Sequence, residues 1–195
     1  MRLLLVTIFA ILFIHTVLGS SYMEKKLQRS FYRDFFNDVR NEYSIGLKIA
    51  NMQELSYNIE LEQEAKSFLT CEEIENGEKY RFLLLEGNKT IWFTSEFLKN
   101  VDARRIAMNE TKLLDDEDFK RNAEFLHPLQ NEIGCIDMIA RCPVSEKFPQ
   151  RIAKFVCLFG PKTTNPIPEW KHGKPMSLCL WGKSESGLCK KKNYY

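Results

Sequence analysis

Ile152-Ala153-Lys154-Phe155-Val156-Cys157-Leu158-Phe159 is apolar at every position but Lys154. A strand built from it has no face suited to water. Such a strand is covered on both sides, which predicts helices above and below a sheet. Gly160-Pro161 ends the run. A partner strand is expected around Cys135-Ile136-Asp137-Met138-Ile139. Further upstream, Arg81-Phe82-Leu83-Leu84-Leu85-Glu86, a Gly87-Asn88 turn and Thr90-Ile91-Trp92-Phe93 read as a hairpin.

Helices supply the covering layers. Leu27, Phe31, Phe35 and Val39 recur every four residues among charges, which makes one apolar helix face. Core packing explains Phe31 and Phe35 better than a binding stripe does. Asn51, with Glu54 three residues on, reads as an N-cap and capping box. Leu55, Ile59, Glu62 and Lys66 follow at helical spacing, with Ala65, Phe68 and Leu69 closing the apolar face before Cys71. The run Asp115-Asp116-Glu117-Asp118 lacks the glycine turn and spaced oxygens of a calcium loop and reads as a solvated helix start. A short helix with Phe119, Ala123 and Leu126 inward should stop before Pro128.

The ends set the compartment. Arg2 precedes the almost continuously apolar stretch Leu3 to Leu18, and Val17-Leu18-Gly19 offers a cleavage site. Residues 1–19 are therefore expected to be a secretory signal peptide, with the mature chain starting at Ser20, soluble and extracellular. Residues 20–26 are polar and expected to be loose. All six cysteines lie beyond residue 19, and an even count in an oxidising compartment reads as three disulfides. The sequons at Asn88 and Asn109 fit a glycoprotein of that compartment. From Lys162 to Tyr195 seven lysines stand against Glu169 and Glu185, and Pro166, Pro168 and Pro175 argue against a packed core. Residues 20–162 are thus expected to form the domain and 163–195 a basic, disulfide-closed extension.

With 195 residues and 44% hydrophobic content the chain can bury a real core. A formal charge of +2, with no arginine stripe, phosphate loop or zinc-finger spacing, gives no case for nucleic acid. There is no Gly-x-Ser-x-Gly elbow and no other apolar run long enough to span a membrane.

Several segments, in order, resemble the CAP superfamily: cysteine-rich secretory proteins, antigen 5 and pathogenesis-related proteins, and in particular the divergent nematode-type members. Asn37-Asp38-Val39-Arg40 is similar to the family's His-Asn-x-x-Arg segment. Ala50-Asn51-Met52-Gln53-Glu54-Leu55-Ser56-Tyr57, continuing to Cys71, is similar to its Ala-Asn-Met helix. Ile133-Gly134-Cys135 and Val156-Cys157-Leu158-Phe159-Gly160-Pro161 resemble its two cysteine strands, and 173–189 resembles its hinge. The resemblance runs from about residue 30 to 189 and is poor between about 79 and 132.

The resemblance implies an α+β fold, a three-layer α-β-α sandwich with a central antiparallel sheet. It implies the pairs Cys71–Cys142 and Cys135–Cys157, each contributing about 3–4 kcal/mol. Met176 and Ser184 replace one hinge bridge, leaving Cys179–Cys189. The family's cleft holds a divalent metal with two His and two Glu. Here the first His position is Phe36, and an ungapped count back from Cys135 puts Arg121 at the second. His127 is the nearest histidine, Glu78 in Gly77-Glu78-Lys79 matches one Glu, and Glu96 and Glu124 are weak candidates for the other. The reading is no metal, no cofactor and no enzyme. His127 and His172 read as structural residues, His127 at a helix end.

The expected function is non-enzymatic extracellular binding of a protein partner. One alternative is a secreted lipid or sterol carrier, which needs an apolar groove. Another is a hydrolase or peptidase using residual carboxylates such as Glu78. The tail Lys190 to Tyr195 is either a contact for acidic glycans or phospholipid head groups or a solvated end.

Overall fold

The structure is a computed structural model that describes residues 2–68, 70–86, 123–145, 148–162 and 167–191. Asn88, Asn109, Arg121, Glu96, the acidic run, the second half of the hairpin and residues 192–195 lie outside those residues, as does the side chain of Glu124.

Helix α1 runs Arg2–Gly46, followed by strand β1 (Ser56–Tyr57) and helix α2 (Ile59–Ser67). Strands β2 (Arg81–Glu86), β3 (Glu132–Asp137), β4 (Pro143–Ser145) and β5 (Phe148–Gly160) complete the regular elements, with short 3-10 turns at Ala123–Leu126 and Ile167–Glu169. The sheet order is β1-β3-β5-β2, and β4 pairs with β5 at one end. All pairs are antiparallel except the two-residue β1–β3 pair. The sheet is therefore mixed, with an antiparallel body.

Strand β5 is buried on both faces, as its composition predicts. Phe155, Cys157 and Phe159 join Tyr32, Phe36 and Val39 of α1 in one core cluster. Val156 and Leu158 point the other way and join Leu61 and Ala65 of α2. Alternation along a single strand thus fastens one helix to each face, giving an α+β sandwich of three layers. Cys135 stands opposite Cys157 in the β3–β5 register, and the two are bonded with Cα atoms 4.1 Å apart. Cys71 is bonded to Cys142 and Cys179 to Cys189.

Several local expectations need correction. Helix α1 passes unbroken through residues 20–26, because no proline or glycine interrupts Ser20 to Ile45. Its inward row is Tyr32, Phe36, Val39 and Tyr43, whereas Leu27 is 65% and Phe31 40% exposed. Both rows have helical spacing and share Val39; of the expected row Val39 is in the core and Phe35 packs against it, while Leu27 and Phe31 are exposed. Asn51 does not cap a helix. Asn58 does so instead, its side chain accepting from the N–H groups of Glu60 and Leu61. Residues 51–55 lie outside any helix because other segments take their backbone groups. Gln53 N–H donates to the Pro128 carbonyl and Glu54 N–H to that of Cys189.

The C-terminal segment is held the same way. Ala50 N–H donates to the Lys171 carbonyl, Leu178 N–H to that of Ala50 and Cys189 N–H to that of Met52. The Asn51 amide donates to the Glu169 carbonyl and accepts from Lys171 N–H. Trp170 and Leu188 are buried in the main core, contrary to the expectation that this segment has no packed core.

Candidate functional site: a filled corner and an apolar groove

Asn37 and Arg40 of α1 are structural clamps. The Asn37 amide donates to the Leu55 carbonyl at 3.0 Å and accepts from Leu55 N–H at 2.8 Å. Arg40 is fully buried and donates to the carbonyls of Gln53, Phe125, His127 and Gln130. Burial lowers its pKa to about 9, so it stays charged at neutral pH. One guanidinium thereby ties α1 to two loops that no regular element holds.

Phe36 precedes this pair and is wholly buried. Its ring meets Phe35 and Phe159 edge-on at 5.0 Å each, and Phe125 at 5.6 Å. The place where the resemblance would put a metal-binding histidine is an aromatic cluster. His127 is buried after the 3-10 turn that carries Phe125, and its Nδ1 accepts from Leu129 N–H. Burial first, and then the charge of Arg40, lower its pKa to about 4, so it is neutral. Glu78 is exposed on the loop before β2. His172 places Nδ1 3.1 Å from the Leu47 carbonyl. Among the described residues no three His, Cys, Asp or Glu side chains are grouped to hold a metal.

A second polar centre lies where α1 and α2 meet the β1 edge. Glu62 accepts from Arg29 Nε at 2.7 Å, from Tyr57 Oη at 3.0 Å and from Lys66 Nζ. Burial pushes its pKa up, but the bonds from Arg29, Lys66 and Tyr57 outweigh that and hold it at about 2. A carboxylate so fully paired is a poor general acid or base. Sequence reading placed Glu62 on the helix but gave it no role. Its position beside Leu61 and Ala65 in an apolar row was the available signal.

This centre forms one wall of a groove of about 370 Å³. Phe68, Ile74, Ile136, Met138 and Val156 line its apolar side, and Lys25, Arg29, Lys66 and Asp137 its charged side. The volume lies in the range of small-molecule sites.

No family model matches the chain, and no curated protein does. Solved structures do. The hookworm platelet inhibitor is 16% identical with a TM-score of 0.52, covering 86% of this chain and 92% of that one. NaASP2, solved with Zn2+, is 15% identical with a TM-score of 0.51, covering 83% and 94%. The chain has the fold of these CAP superfamily proteins.

Proposed function

We propose that this chain is a secreted CAP-like protein that acts outside the cell by binding a protein partner, without turnover. Phe36 carries the reading. The resemblance would put a metal-binding histidine here, and the side chain is instead an aromatic ring packed against Phe35, Phe125 and Phe159. NaASP2 was solved with zinc; of the residues the resemblance would assign to such a site, the described ones here are a buried neutral His127 and an exposed Glu78. Neither makes a chelating set with Phe36 in place. The test is to offer the purified secreted chain a panel of esters and peptides. No turnover is expected, with or without a chelator. Turnover that disappears in Glu78→Gln would overturn the reading and favour the hydrolase alternative.

The groove favours a second reading, a carrier of one amphipathic lipid. Its apolar lining suits an acyl chain or sterol body, and Lys25 and Arg29 suit an acid head. Lipid extracted in stoichiometric amount from natively secreted protein, and lost in Met138→Glu, supports it. Lipid-free protein that takes none up from solution removes it.

A further inference from the structure

The segment closed by Cys179–Cys189 sorts its apolar residues sharply. Leu188 and Cys189 are buried in or against the main core. Leu178 is 48%, Leu180 87% and Trp181 50% exposed. Isolated surface leucines are ordinary, but three large apolar residues within four positions form a patch. The patch is held rigidly. The segment is bonded to residues 50–54 through Leu178 and Cys189, and the disulfide closes its base. Its tip projects: a Cβ added at Gly182 would meet nothing within 4 Å.

The surroundings are basic. Lys183 forms a bridge with Cys189, and Lys190 N–H donates to the Gly182 carbonyl, so both lysines flank the tip. Both are exposed, as are Lys171 and Lys174. Between Lys162 and Tyr195 lysines outnumber acidic residues seven to two. Trp and Leu beside exposed lysines match the interface of an anionic bilayer, where rings and aliphatic chains settle at head-group depth and ammonium groups meet phosphate and carboxylate. A protein groove would take the apolar tip but gives no reason for the lysine excess.

We infer that the Cys179–Cys189 loop docks on anionic phospholipid membranes, with Leu178, Leu180 and Trp181 entering the interface and Lys183 and Lys190 contacting head groups. The contact is peripheral, since three side chains cannot anchor a chain permanently. None of these residues lines the groove.

Sedimentation of the full chain with vesicles tests this. Vesicles of phosphatidylcholine with roughly a third phosphatidylserine should bind it, and pure phosphatidylcholine should not. Binding should weaken at high salt. Fluorescence should shift to the blue on binding, and the shift should vanish in Trp181→Phe. Leu180→Asp changes an exposed side chain, so the fold should survive by circular dichroism while anionic binding falls at least about tenfold. Lys183→Glu with Lys190→Glu should weaken it similarly. Absence of vesicle binding, equal binding to neutral vesicles, or wild-type binding by Leu180→Asp would each overturn the inference. So would attachment to cells that is lost on protease treatment while vesicles bind nothing, because the partner would then be a protein.

Discussion

Arg40 and His127 show how much a motif's residues can do without chemistry. The Asn37-x-x-Arg40 spacing was legible as a family-like signature, but its physical role was not. Nothing in the sequence says that one guanidinium collects carbonyls from residues 53, 125, 127 and 130. That role depends on loops brought together from far along the chain. His127 likewise read as a structural residue, and its buried, neutral state gives a pH signature. Its folded pKa of about 4 lies below its ordinary value of 6.5. Its contribution is therefore fully present above about 6.5 and lost as pH falls toward 4. Urea unfolding should show stability declining across that window, and His127→Gln should flatten the decline. Glu62, held at about 2, adds a separate loss below its ordinary value of 4.5. A wild-type curve that is level from pH 6.5 to 4 would contradict the buried neutral imidazole.

At the scale of elements, the reading from β5 was sound because alternation is a local property. A strand apolar at both odd and even positions must be covered twice. Helix boundaries were less legible because tertiary bonds override local signals. Asn51 and Glu54 satisfy a capping pattern, yet Pro128 and Cys189 take the N–H groups of Gln53 and Glu54. Asn58 then starts the helix. In α1 two apolar rows compete at helical spacing, and only contact with the sheet buries Tyr32 and Phe36 fully while Phe35 packs partly buried against the core and Leu27 and Phe31 stay exposed. A close approach between elements is made at Gly134 of β3, which read as part of a motif without a reason. A Cβ there would lie 2.3 Å from the backbone nitrogen of Glu62 and 2.6 Å from the carbonyl carbon of Leu61. Backbone cannot swing aside as a side chain does, so α2 must lift from the sheet. Gly134→Ala should lower stability by about 2 kcal/mol or more, measured by denaturant unfolding. A change below about 0.5 kcal/mol would mean that α2 is not seated there.

At the scale of the molecule, a sandwich of ordinary size carries a basic segment zipped back to residues 48–54. Sequence reading put that segment outside the core on composition, since prolines and lysines dominate it. Trp170 and Leu188 are the exceptions that anchor it, and single apolar residues among polar ones carry little signal. The groove was not legible at all. It is formed by residues from α1, α2, β3 and the segment after it, which are far apart in sequence. Phe36 stands where the resemblance puts a histidine, and the structure packs it among Phe35, Phe125 and Phe159. Zinc titration of the secreted chain by calorimetry at neutral pH tests this most directly. With Phe36 buried among aromatic rings, no stoichiometric heat should appear. One zinc per chain, bound more tightly than about 1 μM and weakened by Glu78→Gln or His127→Ala, would contradict the filled corner and the non-enzymatic reading built on it.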